Sequence, residues 1–141
     1  MKKLTQQSGA IMTEIRRILI VEDEILTARM ISNQLATSGY SVCKSATNGE
    51  DALRTAEKEN PHMILMDIRL AGTLDGIEVA ERILSCRKIP IVFMSGFSSA
   101  DIIDRASQLN PLAYLTKPFN LAELQSIIDS YFETSGTVNA I

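Results

Sequence analysis

Five side chains that could take part in chemistry lie at or just past the ends of apolar runs, where buried strands are predicted to end. They are Glu22, Asp23, Asp67, Ser95 and Lys117. The three carboxylates would repel one another at close range unless a cation lay among them. Mg²⁺ or Mn²⁺ takes such oxygen ligands and leaves positions open for water and substrate. One carboxylate could then attack phosphorus to form an aspartyl phosphate, with the cation and Lys117 balancing the charge of the phosphoryl oxygens.

The run before Asp67 is the clearest of the strands that would position these side chains. Met63–Met66 is apolar throughout and lies between Asn60-Pro61 and Gly72, which is typical of a short strand buried on both faces. Three similar runs and one more alternating run bring the number of predicted strands to five. They cover residues 16–21, 40–45, 63–66, 90–94 and 113–115.

Apolar residues at helical spacing separate these strands. Ala28, Ile31 and Leu35 are an example, and Asn48-Gly49-Glu50 has the pattern of a turn that begins the next helix. Five strands alternating with five helices predict an α/β fold: a five-stranded parallel sheet with helices on both faces. Right-handed crossovers and a single reversal of winding favour the flavodoxin-like strand order 2-1-3-4-5.

That topology predicts where the polar side chains meet. Ligands of an open parallel sheet bind outside the carboxyl ends of its strands, and strands 1 and 3 are neighbours at the point where the winding reverses. The five polar residues are therefore expected on one rim of the sheet. The domain is predicted over residues 15–133, with an N-terminal tail at 1–14 and a C-terminal tail at 134–141.

Composition excludes several classes of function. The net charge of −3 gives no reason to expect nucleic acid, whose phosphates call for a basic face. No apolar run is long enough to span a bilayer, and the N-terminal residues have no secretory pattern, so a cytoplasmic location is expected. Cys43 and Cys86 are far apart and the chain has one histidine, His62, so a zinc site is not expected. We predict that both cysteines are small buried thiols and that His62, at the opposite end of its strand from Asp67, is structural.

Six short motifs occur in order along the chain at or near the predicted strand ends. They are Ile20-Val21-Glu22-Asp23-Glu24, Asn48-Gly49-Glu50, Leu65-Met66-Asp67-Ile68, Asp75-Gly76, Met94-Ser95 and Tyr114-Leu115-Thr116-Lys117-Pro118-Phe119. Together they resemble the receiver domain of bacterial response regulators, from about Arg16 to Phe132. The resemblance implies a phosphoacceptor signalling domain rather than an enzyme, existing as a monomer or weak dimer.

The resemblance also assigns a role to each residue of the rim. Asp67 would accept a phosphoryl group from a histidine kinase or a histidine phosphotransfer protein. Glu22, Asp23 and Asp67 would hold Mg²⁺ (or Mn²⁺) together with the main-chain carbonyl of Arg69. Ser95 would hydrogen-bond the phosphoryl group.

The same resemblance implies how the phosphorylated state is reported. Lys117 would pair with the phosphoryl group, and the Lys117–Pro118 peptide bond would be cis. Ser95 and Tyr114 would act as the switch, coupling phosphorylation to the face made by the fourth helix, fifth strand and fifth helix. That face would control the binding of a downstream protein, without direct contact with nucleic acid or membrane.

The chain departs from the commonest receiver pattern at a few positions. The loop Arg69–Leu74 lacks the usual proline and is one residue longer, which should alter the partner surface more than the chemistry. Ser95 replaces the more usual threonine and keeps the hydroxyl. Arg69 and Phe97 are bulky residues two positions beyond Asp67 and Ser95, and both could crowd the line along which water attacks. Slow self-hydrolysis is therefore predicted.

Three other functions fit parts of this pattern. An aspartate-nucleophile phosphatase of the haloacid-dehalogenase type would need a second acid at the position of Arg69. A receiver-like module that only binds partners would not need the complete set of five polar residues. A flavodoxin-type flavin binder would need a phosphate-binding loop after strand 1, where this chain has Glu22, Asp23 and Glu24.

Overall fold

The strands form where the sequence is most apolar. In the computed structural model, which describes residues 14–96 and 99–140 with side chains up to residue 134, three central strands have five residues each. The strands are β1 (Arg17–Val21), β2 (Ser41–Val42), β3 (Met63–Asp67), β4 (Ile91–Ser95) and β5 (Ala113–Thr116). The N-terminal tail up to residue 13 and the bulky residue Phe97 lie outside the described residues.

All five strands are parallel, in the order β2-β1-β3-β4-β5, which confirms the predicted topology. Pairing is in register at the carboxyl ends: Val21 lies opposite Met66, and Asp67 lies opposite Met94. Ser95 lies opposite Thr116, the residue before Lys117. The residues that follow each strand therefore emerge along one rim of the sheet.

Five helices connect the strands, with lengths that differ in places from the prediction. They are α1 (Ile25–Thr37), α2 (Gly49–Glu59), α3 (Gly76–Leu84), α4 (Ala100–Ser107) and α5 (Leu121–Ala140). Helix α5 continues through Ala140, past the end predicted near residue 133, because a helix that has already formed extends by one main-chain hydrogen bond for each residue added. Strand β2 is shorter than predicted, although Cys43 and Ala46 still donate main-chain hydrogen bonds to β1, at 2.9 and 3.1 Å. No helix in the described residues is long and apolar enough to cross a bilayer.

The sheet is covered on both faces by separate apolar layers. Ile18 and Ile20 of β1 pack with α1 and α5, whereas Leu19 and Val21 pack with α2, α3 and α4. This explains why β1, β3 and β4 read as continuous apolar runs rather than alternating ones. Cys43 belongs to the second of these layers, as predicted, but Cys86 is exposed because it follows the end of α3. The prediction of two buried thiols is wrong for Cys86.

Candidate functional site

The acidic pair after β1 has one buried and one exposed member. Glu22 has no exposed surface, and its main-chain N–H donates to the carbonyl oxygen of Ala46 at 2.9 Å. Its Oε2 accepts a hydrogen bond from the main-chain N–H of Glu24 at 3.1 Å. Glu24 directly precedes α1, so this bond holds the Glu22 side chain against the start of that helix. Asp23 is exposed. The two neighbouring acids therefore face different surroundings, one in the protein and one at its surface.

Asp67 ends β3 at the centre of the sheet. It is only 4% exposed, and its Oδ1 accepts the main-chain N–H of Arg69 at 3.1 Å. This hydrogen bond turns the chain sharply after the strand and fixes the carboxylate over its own following loop. Asp67 is therefore a buried carboxylate held at the rim, with one edge open toward the residues of β1 and β5.

Lys117 reaches this carboxylate from the end of β5. Its main-chain N–H donates to the carbonyl oxygen of Ser95 at 2.7 Å, which aligns the two neighbouring strand ends. Its Nζ lies 2.7 Å from Glu22 Oε1 and 3.1 Å from Asp67 Oδ2. The Lys117–Pro118 peptide bond is cis, as the resemblance implied. One ammonium group thus bridges two buried acids from two different strands.

The electrostatics of the site fit a divalent cation. Carboxylate oxygens of Glu22, Asp23 and Asp67 all lie within 4.8 Å of one another. Burial, reinforced by the hydrogen-bonded Asp67, raises the pKa of the Glu22 carboxyl. Burial alone would lower the pKa of Lys117, but its hydrogen bonds to the two carboxylates raise it instead. Three hard oxygen donors beside the Lys117 ammonium suit an ion such as Mg²⁺, and the exposed Asp23 leaves the cluster open to solvent.

Of the remaining residues predicted for the site, Ser95 and Arg69 lie at this rim and Tyr114 lies within β5. Ser95 is buried at the end of β4, and Tyr114 is half-buried on β5 opposite Phe93. Arg69 directly follows the Asp67 turn with its side chain exposed, while its N–H holds the acceptor carboxylate. The predicted site residues other than Tyr114 therefore lie at the carboxyl ends of the strands, and Tyr114 lies further back, within β5.

Two features of the site were not predicted from the sequence. Asp75 caps α3 and pairs with Arg105 of α4 at 3.2 Å, linking the two helices beside the site. Gly76, which the sequence singled out only as part of a motif, packs against the main chain of Asp67. The available sequence signal was a glycine directly after a capping aspartate, which does not reveal a contact to a residue nine positions earlier.

Comparisons with known proteins agree on one family. A family model described as the response regulator receiver domain matches residues 18–129. The transcriptional regulatory protein PdtaR of Mycobacterium tuberculosis is 37% identical over 114 residues, which cover 81% of this chain but 55% of that protein. This chain thus spans little more than half the length of that relative.

Two further relatives are closer in size. The sporulation initiation phosphotransferase F of Bacillus subtilis is 29% identical over 116 residues, covering 82% of this chain and 92% of that protein. The solved signal receiver domain of a modulated diguanylate cyclase from Desulfovibrio desulfuricans G20 superposes with a TM-score of 0.79 at 35% identity. That superposition covers 88% of this chain and 98% of the solved chain.

Proposed function

This chain belongs to the response regulator receiver domain family, and we propose that it is the phosphoacceptor of a phosphorelay in which Asp67 carries the phosphoryl group. Receiver domains are signalling domains of two-component systems that interact with histidine kinases or phosphotransfer proteins and with downstream effectors. The observation that carries the proposal is the position of Asp67. It is a buried carboxylate within reach of two other acids and hydrogen-bonded to a lysine ammonium.

The proposed reaction moves a phosphoryl group from a phosphohistidine to Asp67. A carboxylate oxygen of Asp67 forms a bond to phosphorus while the phosphorus–nitrogen bond of the donor breaks. The imidazole leaves with the electron pair and takes up a proton, which balances the step. Oδ1 is hydrogen-bonded to the Arg69 N–H, whereas Oδ2 faces Lys117, so the protein distinguishes the two oxygens before the donor arrives.

Glu22, Asp23 and Asp67, with the main-chain carbonyl of Arg69, would hold Mg²⁺ or Mn²⁺. A bound ion neutralises the charge that develops on the phosphoryl oxygens. Lys117 would move its ammonium from the two carboxylates toward the phosphoryl group, because its side chain is long and 23% exposed. Ser95, at the end of the neighbouring strand, would donate a hydrogen bond from its hydroxyl group to a phosphoryl oxygen.

Phosphorylation would act by shifting an existing equilibrium. It adds about −1.5 to −2 charges at one point. The conformation in which Ser95 and Lys117 engage those charges becomes more populated, because it binds the phosphoryl group better. Tyr114 lies two residues before Thr116, the partner of Ser95 in β5, so movement of β4 can reach the α4-β5-α5 face through the pairing of these two strands. A downstream protein would recognise that face.

Incubation with Mg²⁺ and acetyl phosphate, followed by intact mass measurement, tests the proposal. We expect one added phosphoryl group, lost in Asp67→Asn and retained in Asp101→Asn, an exposed acid at the start of α4. No adduct in the wild type, or an adduct that survives in Asp67→Asn, would contradict the assignment. Repeated release of inorganic phosphate from small phosphate esters would instead indicate the phosphatase alternative.

Several finer expectations rest on the same proposal. The cytoplasmic location, the monomer or weak dimer and the domain bounds of residues 15–133 stay predictions. Slow self-hydrolysis also stays a prediction, and it can be tested by following decay of the acyl phosphate in an Arg69→Asn, Phe97→Glu variant. Faster decay is expected if the two bulky side chains restrict the attacking water.

A further inference from the structure

The first residue of α3 is in unusually close contact with the acceptor. Gly76 is buried, and its N–H donates to the carbonyl oxygen of Ile68 at 2.7 Å. A Cβ at this position would lie 2.1 Å from the main-chain oxygen of Asp67, and 2.9 Å from both the Asp67 carbonyl carbon and Ile68 Cα. Real Cβ atoms essentially never approach other atoms within 3.0 Å. Only glycine therefore fits without a shift of main chain.

The segment that Gly76 contacts carries the chemistry of the site. Asp67 holds the acceptor carboxylate, and Arg69 donates its N–H to that carboxylate and is expected to offer its carbonyl to the metal ion. A displacement of this segment would move both groups together. Loss of a single ligand, by contrast, leaves the other groups in place.

The other side of the contact is held firmly. Asp75 accepts the Glu78 N–H at 2.8 Å, and Glu78 accepts the Asp75 N–H at 2.9 Å, a complete capping box at the start of α3. Val79 and Ala80 are fully buried in the adjacent apolar layer. Helix α3 therefore cannot easily retreat from a larger residue at position 76, and the Asp67 segment would have to move instead.

We propose that Gly76 is a positioning residue for the phosphoacceptor: its missing side chain lets α3 press on the main chain of Asp67 and set the acceptor in line with the metal ligands. The inference rests on the proposed phosphoacceptor function and deepens it. Gly76 touches neither the ion nor the phosphoryl group, so its effect passes through Asp67 and Arg69.

Gly49 supplies a matched control. It is likewise a buried glycine, is the first residue of α2, and follows a capping residue, Asn48. A Cβ there would lie 2.8 Å from Val79 Cγ2 and 2.9 Å from Leu74 Cβ, a milder clash that involves side chains and not the acceptor main chain. Gly49→Ala should therefore disturb packing between α2 and α3 without moving Asp67 directly.

The test compares Gly76→Ala with Gly49→Ala in the full chain. We measure the melting temperature, the Mg²⁺ affinity and the rate of phosphorylation by acetyl phosphate. The affinity and the rate are measured at a temperature well below the melting temperature of each variant. Both variants are expected to melt at lower temperature than the wild type. We expect Gly76→Ala alone to lose about 10- to 100-fold in Mg²⁺ affinity, the range found when residues that orient metal ligands are changed. Its phosphorylation rate should fall as well.

The outcomes separate the inference from the proposed function. If the wild type neither binds Mg²⁺ nor becomes phosphorylated, the proposed function fails. If the wild type does both and Gly76→Ala matches Gly49→Ala in affinity and rate, the positioning role is wrong. This holds even if both variants lose affinity and rate relative to the wild type, because a general packing defect would then account for the two equal losses.

A wild-type measurement covers the case in which Gly76→Ala does not fold. The Gly76 amide hydrogen is bonded to the segment that bears the acceptor, so Mg²⁺ should slow its exchange with solvent, as followed by NMR. The Gly49 amide should be much less affected. Equal or absent slowing at Gly76 would contradict the proposal.

Discussion

At the scale of single residues, the site depends on one ammonium shared by two buried acids. Glu22 and Asp67 have side chains 0% and 5% exposed, and Lys117 contacts both. A buried carboxylate without a partner is costly, because water no longer stabilises its charge. Before any cation binds, Lys117 thus stabilises a cluster that would otherwise repel itself.

Replacing Lys117 by methionine should therefore destabilise the protein more than removing an ordinary lysine. We expect the free energy of unfolding in the absence of Mg²⁺ to fall by about 2 kcal/mol, less than the roughly 3 to 5 kcal/mol lost when a fully buried pair is broken, because Lys117 keeps some exposure. Mg²⁺ should restore part of the loss by supplying another positive charge. Urea denaturation measures both effects.

The control for this substitution is Lys88→Met, at an exposed position between α3 and β4. Its effect should be within about 0.5 kcal/mol, as for most surface changes. Equal losses in the two variants would mean that the Lys117 ammonium contributes no more to stability than the ammonium of a surface lysine.

His62 carries a second residue-scale prediction, this time for pH. Its Nδ1 accepts the Arg17 N–H at 2.9 Å, so it must be neutral to keep this bond. Burial, and then the charge of Arg17, lowers its pKa; Arg16 and Arg87 act in the same direction and Glu14 opposes them. The His62 imidazole therefore takes up a proton less readily in the folded state than in the unfolded state, where its pKa is about 6.5.

Stability should consequently fall as pH decreases from about 6.5 through the lowered pKa, and be independent of this group above about pH 7.5. In His62→Asn the side-chain oxygen can still accept a hydrogen bond but cannot take up a proton in this range. We expect the difference in unfolding free energy between wild type and variant to change with pH only in the acid window. A difference that is constant from pH 5 to 8 would contradict the assignment.

At the scale of secondary-structure elements, the start of α3 is held by two kinds of interaction that can be separated. The Asp75 side chain caps the helix by accepting the main-chain N–H of Glu78, and it also forms an ion pair with Arg105 of α4. The cap satisfies N–H groups at the start of the helix that would otherwise lack a partner. The ion pair is half-exposed, with the Arg105 side chain 47% exposed and the Asp75 side chain 34% exposed. The cap should dominate, because exposed ion pairs contribute little.

We therefore expect Asp75→Ala to reduce the free energy of unfolding by about 1 kcal/mol. Asp75→Asn keeps a capping oxygen and removes the charge, so it should lose no more than about 0.5 kcal/mol, as should Arg105→Ala. Guanidinium denaturation of the three variants distinguishes the contributions. A loss in Asp75→Asn as large as that in Asp75→Ala would show that the ion pair, and not the cap, holds α3.

At the scale of the whole molecule, cation binding should couple to folding. The three acids come from the ends of two strands that only the folded sheet brings within 4.8 Å. An ion that binds the folded state alone stabilises it by mass action, by about 2.7 kcal/mol at a concentration 100-fold above its dissociation constant. The melting temperature should therefore rise with Mg²⁺.

Asp23→Asn tests the origin of that rise. Because Asp23 is exposed, its substitution should change stability little without Mg²⁺. The Mg²⁺-dependent rise should nevertheless be much smaller than in the wild type, as measured by calorimetry. An undiminished rise would place the ion elsewhere on the molecule.

The sequence alone determined the elements, their order and the rim at which the polar residues meet. Hydrophobic periodicity is a local property, and uninterrupted apolar runs such as Met63–Met66 require burial on both faces. Once the strands are parallel, their carboxyl ends must share one edge, so the sequence alone predicts that Glu22, Asp67 and Lys117 lie together. The short β2, the continued helix at α5 and the exposed Cys86 were not predicted, because they depend on local packing and chain ends.

Only the tertiary structure decided the distances within the site. Lys117 and Glu22 are 95 positions apart in the chain, and no sequence pattern reports that one ammonium reaches both Glu22 and Asp67. The contact of Gly76 with the acceptor main chain is likewise a consequence of how closely α3 packs on β3. Periodicity specifies which face of an element is buried, but separations of a few ångströms between side chains are set by packing of all the elements together.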